Sequence, residues 1–320
     1  MKKFQTFPVG SAGKPWGDSE RNQWVSLQLK KRDYNTLVRG AVDEMFKGES
    51  LSHCAEPFEY GTVDYTTISL PSYRMVGIRS KPWKSDLFTA VVTGGVHGYE
   101  TSGVLGELLF AKEHLSKYAS QLNILVLPCV SPWGFETVNR WTPNAIDPNR
   151  SFNPDHPLCT EAALAMTAIS DHVSRSCGVK VHIDLHETTD TDNSEFRPAK
   201  FARDGVEPEP WSAIPDGFYL VTDTKRQQLR FQAAMIGAVS KVTHIAPPDE
   251  NKCIIGTPLI HEGVVEYDCR KLFLCAGHTD APFVTTTEVY PDSTRTTPEE
   301  CNRAQAACVC GGLDYVVCLN

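Results

Sequence analysis

Residues 87–100 read LFTAVVTGGVHGYE, and this stretch decides the fold. Its first seven residues are apolar or β-branched and predict a buried strand that ends at Gly94 and Gly95. His97 and Glu100 follow directly, where the chain enters an apolar pattern of helical period. Ligands of open α/β sheets bind at the carboxyl ends of the strands. The stretch therefore predicts a strand–turn–helix unit whose turn carries a polar site.

Short apolar runs alternate with helical patterns along most of the chain. Further strands are predicted at residues 62–70, 73–79, 122–128, 179–185, 263–267 and 283–289. Helices are predicted at residues 35–46, 103–114, 159–174 and 227–239. Strands separated by helices form sheets that are covered on both sides. The fold class expected is therefore α/β, with a mixed, mostly parallel central sheet and helices on both faces.

Two kinds of region depart from this alternation. Residues 1–55 open with a Gly/Pro-rich segment and predict an N-terminal helical appendage, packed on a main domain of residues 56–320. The polar segments 189–215 and 244–257 have no period and contain several prolines. Loops of this length are uncommon in compact domains and are often functional. We expect both segments to be loops at the rim of the site, and ordinary surface insertions are the alternative.

Composition and charge exclude several classes of protein. The 320 residues carry a formal net charge of -8 without a strongly basic segment, so nucleic acid is not expected as a partner. No apolar run approaches the ~20 residues of a membrane helix. The 11 cysteines include no CxxC pair, which argues against a thiolate zinc site. Free thiols, and an N-terminus without the apolar run of an export signal, predict a cytoplasmic protein.

A second polar cluster lies at the end of a later apolar strand. Period-two alternation places His182, Asp184 and His186 on one face of that strand and apolar residues on the other. His186 lies nearest the edge of the sheet where His97 and Glu100 are expected. Two imidazoles and one carboxylate leave an open coordination position, which suits a catalytic zinc ion. Taken singly, each histidine could equally be a hydrogen-bonded core residue.

These motifs, together with DPNR at residues 147–150, resemble those of the zinc carboxypeptidases. That superfamily includes the aspartoacylase and succinylglutamate desuccinylase branch. The resemblance follows the motif order over roughly residues 60–290. It implies a zinc-carboxypeptidase-like catalytic domain and one zinc ion bound by His97, Glu100 and His186.

The resemblance also implies roles for further residues. Asn149 and Arg150 match the pair that binds the free carboxylate of the substrate, a role that suits the planar fork of a guanidinium. Asp147 matches the aspartate that orients the first zinc histidine. Arg140 corresponds to the arginine that polarises the scissile carbonyl. Glu288, in the sequence TTTEV, corresponds to the general base.

The general base has alternative candidates, and one further role, that of an assisting tyrosine, has no assigned residue. Three glutamates are alternatives for the general base, namely Glu187, Glu262 and Glu266. Many carboxypeptidases also use a mobile tyrosine between the third ligand and the base. Tyr219 and Tyr267 fall in that interval, and neither lies in a motif that aligns, so no tyrosine is assigned.

The expected activity is hydrolysis of an amide bond next to a substrate carboxylate. We favour a metallocarboxypeptidase acting on small peptides, such as cell-wall fragments. An N-acyl amino acid deacylase of the aspartoacylase type needs the same groups and is the alternative. A zinc-binding protein without catalysis is a further alternative, and it would require the base or an arginine to be missing. No cysteine lies in a recognisable nucleophile motif, which leaves a thiol enzyme without support.

Overall fold

A mixed eight-stranded sheet forms the centre of the molecule, and the computed structural model describes residues 7–209 and 213–319. The strands are Ala55–Asp64 (β1), Ser72–Ser80 (β2), Thr89–Gly94 (β3), Asn123–Leu127 (β4), Val179–Glu187 (β5), Tyr219–Asp223 (β6), Cys253–Ile254 (β7), Thr257–Pro258 (β8), Val264–Tyr267 (β9) and Phe283–Val289 (β10). Strands β7 and β8 pair separately, and the others form a sheet in the order β1–β2–β4–β3–β5–β10–β6–β9. The neighbours β4, β3, β5 and β10 are parallel, so the expected mixed, mostly parallel sheet is confirmed.

Helices cover both faces of this sheet. They are Asp18–Ser26 (α1), Gly40–Met45 (α2), Glu49–Ser52 (α3), Thr101–Glu113 (α4), Leu115–Tyr118 (α5), Pro132–Thr137 (α6), Thr160–Val173 (α7), Arg197–Asp204 (α8), Leu229–Val239 (α9) and Pro298–Val317 (α10). Single turns of other helix types occupy Asn35–Arg39, Thr66–Ile68, Pro148–Arg150, Asp192–Phe196 and Cys275–Gly277. Helix α10 packs on α4 and α9, while α7 contacts β1, β3 and β4. No helix of the described residues is long and apolar enough to cross a membrane.

Side chains along the central strands point alternately to the two faces of the sheet, and the apolar core is therefore divided into two clusters. Ala90 and Val92 of β3 join the apolar cluster that includes α4, α9 and α10. Val91, between them, joins the cluster that includes α7. Successive strand side chains point to opposite faces. A strand that is apolar at every position is therefore buried on both sides, which is why these runs predicted a covered, largely parallel sheet.

Four buried tryptophans join the N-terminal segment to the sheet domain. The ring centroids of Trp16 and Trp24 lie 6.1 Å apart. Trp24 lies 5.8 Å from Trp133, and Trp16 lies 6.2 Å from Trp141. Aromatic pairs of this kind contribute about 0.5–1.5 kcal/mol each beyond the burial of their area. The first strand begins at Ala55, and the division of the chain at residues 55 and 56 stays a prediction.

The strand predicted at residues 62–70 is wrong. Strand β1 begins earlier and ends at Asp64, and a single helical turn follows at Thr66–Ile68. Asp64 accepts a hydrogen bond from the backbone N–H of Thr66, and Ser69 closes the turn with φ 60. Side-chain bonds of this type compete locally with strand pairing, so the β-branched residues here did not decide the structure.

The loop predicted at residues 189–215 is also wrong over most of the described residues. The turn Asp192–Phe196 and helix α8 occupy it, and residues 210–212 lie outside the described residues. Pro198 lies in the first turn of α8, where a backbone N–H has no helical partner to lose. A short polar helix with an early proline has little apolar periodicity, which explains the wrong prediction.

Glu107 of α4 gives the fold a testable pH dependence. Its Oε1 accepts the backbone N–H of Leu127 over 3.1 Å, and burial raises its pKa well above the usual range. Above pH ~4.5 the unfolded chain loses this proton while the folded chain keeps it, so stability falls as pH rises, by up to about 1.4 kcal/mol per pH unit. Glu107→Gln should remove this pH-dependent loss of stability. The free energy of unfolding of the variant, relative to that of the wild type, should therefore increase as pH rises. Urea unfolding between pH 5 and 8 tests this, with exposed Glu113→Gln as the control; parallel pH profiles for Glu107→Gln and wild type would contradict it.

Candidate active site

Three strand ends position the side chains of the candidate site. His97 and Glu100 lie in the turn between β3 and α4, while His186 and Glu288 lie near the ends of β5 and β10. The three strands are parallel neighbours, and Glu288 pairs directly with His186 in the register of the sheet. Their carboxyl ends therefore meet at one edge, which brings the four side chains together.

The turn that carries His97 packs closely against helix α6. A Cβ atom on Gly98 would lie 2.1 Å from the carbonyl carbon of Gly134 and 2.0 Å from the nitrogen of Phe135. Cβ atoms essentially never approach other heavy atoms below 3.0 Å. Glycine at position 98 is thus required for the turn to reach the sheet edge in this conformation.

The side chains of His97, Glu100 and His186 form a buried group that could hold a metal ion. Glu100 lies between the rings, with Oε1 2.8 Å from Nδ1 of His97 and Oε2 2.6 Å from Nδ1 of His186. The Oε2 contact lacks the geometry of a hydrogen bond. One potential ligand atom of each residue lies within 4.8 Å of the others. This set of two imidazole nitrogens and a carboxylate oxygen fits a divalent metal such as zinc.

Two aspartates contact the Nε2 atoms of the two candidate histidine ligands. Asp147 Oδ1 lies 3.0 Å from Nε2 of His97, and Asp184 Oδ2 lies 2.7 Å from Nε2 of His186. Thr93 donates to Asp184 over 2.6 Å. With a metal ion bound, a carboxylate at Nε2 would keep the proton on that nitrogen and leave the lone pair of Nδ1 for the ion. This tautomer is the one that a metal at Nδ1 requires.

Neighbouring charges keep the carboxylates of this group ionised. Burial raises the pKa of Glu100, but His186 and His97 outweigh that effect and hold the pKa at about 2. Burial lowers the pKa of His186, but Glu100 and Asp184 outweigh it and hold the pKa well above the usual range. A buried position that stabilises negative carboxylates is suited to a cation.

Glu288 faces the cavity beside the candidate ligands. The hydroxyl of Thr188 donates to Glu288 Oε2 over 2.8 Å and also lies 2.8 Å from the hydroxyl of Tyr219. Burial raises the pKa of Glu288 to about 8, although His186 opposes the shift. Within the described residues Oε1 makes no hydrogen bond, so one oxygen is fixed and the other is left for a ligand.

The three alternative glutamates have other surroundings. The oxygens of Glu187 accept the backbone N–H groups of the first two residues of α4, over 3.0 and 2.7 Å, and so cap that helix. Glu262 is exposed, and neither it nor Glu266 lines the cavity. Of the four glutamates, Glu288 alone lies beside the candidate metal-binding group with an oxygen that has no hydrogen bond to any described residue.

Arg140 belongs to a polar network on the cavity wall. Its Nε donates to Asp147 over 3.2 Å, and its Nη1 lies 3.4 Å from Asp192 and 3.3 Å from the hydroxyl of Tyr99. The Tyr99 hydroxyl donates to Asp192 over 2.8 Å, and its ring stacks on that of His97. Asp147 therefore joins Arg140 to a candidate ligand, and Nη2 of Arg140 makes no hydrogen bond within the described residues.

Asn149 and Arg150 present N–H groups to the same cavity. The backbone N–H of Cys275 donates to Asn149 Oδ1 over 2.8 Å, which fixes the orientation of the amide. Nδ2 of Asn149 then lies 3.3 Å from Nε2 of His186. Nη1 of Arg150 donates to the carbonyl oxygen of Asn149 over 2.7 Å, and the side chain lines the cavity. Both residues are thus placed as donors toward a bound anion.

A single cavity of about 550 Å³ unites these residues. Its lining includes every site residue expected from the sequence, namely His97, Glu100, Arg140, Asp147, Asn149, Arg150, His186 and Glu288. Tyr219 and Tyr267 also line it, as do Arg197 from the segment 189–215 and Ile255 from the segment 244–257. A volume of this size accommodates a small molecule or a short peptide end.

Comparisons with known proteins show which proteins share the fold of this chain. A family model described as "Protein of unknown function (DUF2817)" matches residues 75–173. A comparison with curated proteins gives no significant match. A "putative metallopeptidase" from Shewanella amazonensis superposes with a TM-score of 0.62 at 16% identity, over 97% of this chain and 98% of its own.

Two structures of named carboxypeptidases share the same architecture. A metallo-carboxypeptidase from Burkholderia cenocepacia superposes with a TM-score of 0.56 at 14% identity, over 96% of this chain and 70% of its own. A metallo-carboxypeptidase from Pseudomonas aeruginosa, solved with (2-guanidinoethylmercapto)succinic acid, gives 0.55 at 11% identity, over 87% and 68%. This chain has a zinc-carboxypeptidase-like fold. The fold class expected from the sequence is thereby confirmed.

Three side chains that line this cavity were not predicted from the sequence, namely Tyr99, Thr188 and Asp192. Alternation in β5 did place Asp184 on the face of His186, although it assigned no role to this side chain. No spacing relates Tyr99 to Asp192, because the contact joins residues 93 positions apart. Thr188 lies just beyond β5, where the alternation ends.

Proposed function

We propose that this protein is a zinc-dependent metallocarboxypeptidase that releases the C-terminal residue of small peptides. The observation that carries the proposal is the convergence, in one cavity, of the group His97, Glu100 and His186 with Glu288 and Arg150. A protein that only stores or senses zinc has no need of a base and a carboxylate-binding arginine beside the metal. The fold shared with named metallo-carboxypeptidases supports the same reaction class.

Each side chain has a defined task in this proposal. A zinc ion held by His97, Glu100 and His186 would supply Lewis acidity toward the scissile carbonyl and would lower the pKa of a water molecule. Glu288, whose pKa the positive charge of a bound zinc ion would lower from about 8, accepts a proton from the attacking water and returns it to the leaving nitrogen. Arg140 donates through Nη2 to the carbonyl oxygen as negative charge develops there. Arg150 and Asn149 donate to the terminal carboxylate of the substrate, which fixes the position of the adjacent amide bond.

We also propose that the protein works in a reducing compartment such as the cytoplasm. All 11 cysteines are free. Burial raises the pKa of several of them, including Cys275 beside the site, which leaves these thiols protonated and unreactive. Proteins of oxidising compartments generally pair their cysteines, and the free thiols support the opposite setting.

A substrate panel tests the reaction class. The zinc-loaded protein is incubated with N-acetylated tripeptides, with the same peptides ending in a carboxamide, and with N-acyl amino acids. We expect release of the C-terminal amino acid from the free acids, at rates at least ~100-fold above those of the amides, because the amide cannot accept the charged bonds from Arg150. A zinc chelator should abolish release, and added zinc should restore it.

The panel also separates the competing functions. Hydrolysis confined to N-acyl amino acids would replace the peptidase by a deacylase that uses the same groups. Equal rates for free acids and carboxamides would contradict the role of Arg150. Absence of turnover on every free-carboxylate substrate, at full zinc occupancy, would overturn the proposed enzyme activity.

A further inference from the structure

One cation on the cavity wall, Arg197, has neither a hydrogen-bond partner nor an ion-pair partner among the described residues. The cationic side chains that line the cavity are Arg140, Arg150, Arg197, Lys200 and Arg203. The first two hydrogen-bond to aspartates and to a main-chain carbonyl, as described above. Lys200 and Arg203 both pair with Asp204, each over 2.8 Å. Arg197 makes no hydrogen bond or ion pair with any residue in the ranges 7–209 and 213–319.

The backbone around Arg197 is fixed by its neighbours. Arg197 is the first residue of α8, and both Phe196 before it and Pro198 after it are buried. The Phe196 ring packs on Tyr99 with 4.5 Å between centroids, and Tyr99 belongs to the network of Arg140. The backbone of Arg197 is therefore anchored by buried neighbours, and its half-buried side chain lines the cavity.

Tyr267 locates Arg197 relative to the catalytic groups. The Tyr267 phenol lines the same cavity, and burial raises its pKa. Glu288, Arg150 and Arg197 line this cavity too, and the charges of all three act on the pKa of Tyr267. Arg197 therefore lines a part of the cavity near Tyr267, within electrostatic range of the same phenol as the general base and the terminal-carboxylate site. In the proposed reaction, the side chain of the released amino acid occupies this part.

An unpaired guanidinium in such a position calls for an anion. Partial burial of a cation without a counterion is unfavourable, and a ligand carboxylate satisfies its planar fork with two parallel bonds. Arg150 already accounts for one carboxylate of the substrate. A second carboxylate would have to come from the substrate side chain.

We propose that Arg197 binds the side-chain carboxylate of the released residue, so that the preferred substrates end in aspartate or glutamate. This inference rests on the proposed function, because it assigns the side-chain pocket of that reaction. It applies equally when the group removed from the amino acid is a peptide or an acyl group. Arg197 is then the residue that determines specificity. Arg140 and Arg150 act in the same way on every substrate, whatever its C-terminal side chain.

Matched substrates and two variants test the role of Arg197. N-acetylated tripeptides that end in Glu, Gln, Asp, Asn or Leu are compared for the wild type, Arg197→Met and Lys200→Met. The wild type should prefer Glu to Gln, and Asp to Asn, by about 100-fold or more in kcat/KM. Arg197→Met should reduce each preference to less than about threefold by lowering the rates on acidic substrates alone. Lys200→Met, on the same helix but paired with Asp204, should keep the preference.

Binding of free amino acids separates this inference from the proposed function. Calorimetry should show that zinc-loaded wild type binds glutamate at least ~30-fold more tightly than glutamine, and that Arg197→Met loses the difference. If no substrate is turned over, this binding ratio still decides the role of Arg197. If peptides are hydrolysed without an acidic preference, or if Arg197→Met keeps one, the inference is overturned while the peptidase assignment stands.

Discussion

Glu288→Gln should reduce kcat by about 10³-fold or more while the protein keeps its metal and its fold. A general base contributes ~10²–10⁴-fold to such a reaction, and an amide cannot accept the proton of the attacking water. Glutamine retains an oxygen for the hydroxyl of Thr188, which now donates to Glu288 over 2.8 Å. Pairing of residue 288 with His186 is a main-chain contact and is unaffected by the substitution.

Three measurements on Glu288→Gln distinguish loss of chemistry from loss of structure. Turnover is measured at saturating substrate, zinc content by elemental analysis, and unfolding by thermal denaturation. We expect equal zinc content, a KM within a few-fold of the wild type, and a similar melting temperature. Glu262→Gln, which removes an exposed carboxylate outside the cavity, is the control and should retain wild-type kcat. Turnover by Glu288→Gln close to that of the wild type would exclude Glu288 as the base.

The position of the candidate metal-binding group could be predicted from the sequence because its parts are local. His97 and Glu100 lie three residues apart in one turn, and His186 closes an alternating strand. Both patterns follow buried strands, and the carboxyl ends of parallel strands meet at one edge of a sheet. Two short-range signals and one general rule of sheet architecture were therefore sufficient. The structure gathers the three side chains as these patterns indicated.

The surroundings of the group depend on long-range pairing, which a single sequence does not reveal. Glu288 lies beside His186 because β10 pairs with β5 in one particular register, and the two residues are 102 positions apart. A shift of one residue in that register would turn Glu288 to the opposite face of the sheet. Glu187 illustrates the same limit, since it caps α4 from a strand 86 residues away in the sequence. The family resemblance supplied Glu288, while the alternation of the strand predicted that Glu187 points to the face opposite His186.

Helix α10 was not predicted from the sequence for a different reason. Its buried side chains are mostly small, with Cys301, Ala304, Cys308 and Gly312 among them. A Cβ on Gly312 would lie 2.9 Å from the ring of Phe231, so the close approach of α10 to α9 depends on small residues. Small residues give a weak hydrophobic period even where the helix is buried. The capping box of Thr297 and Glu300 was the available signal.

His186→Ala should lose stoichiometric zinc and nearly all activity. The substitution removes one of three candidate ligands and leaves the Glu100 and Asp184 carboxylates, which lie 2.6 and 2.7 Å from the ring, without their shared partner. Two remaining ligands hold a divalent ion far more weakly than three in a pre-formed site. Zinc content after dialysis, measured together with turnover, should be well below one ion per chain. Thermal unfolding shows whether the chain remains folded, and His186→Gln provides a second variant of similar volume.

Asp184→Asn provides a graded comparison for the same ligand. Asp184 accepts from Thr93 and contacts His186 at Nε2, the nitrogen turned away from Glu100. Its loss should therefore weaken zinc binding by about 10–100-fold, less than loss of the ligand itself. The expected order of zinc affinity is therefore wild type, then Asp184→Asn, then His186→Ala, and excess zinc should restore turnover in the aspartate variant alone. Full zinc occupancy of a folded His186→Ala protein would exclude His186 as a ligand. Equal effects of the two substitutions would mean that Asp184 does more than orient the ring, because orientation alone leaves the third ligand in place.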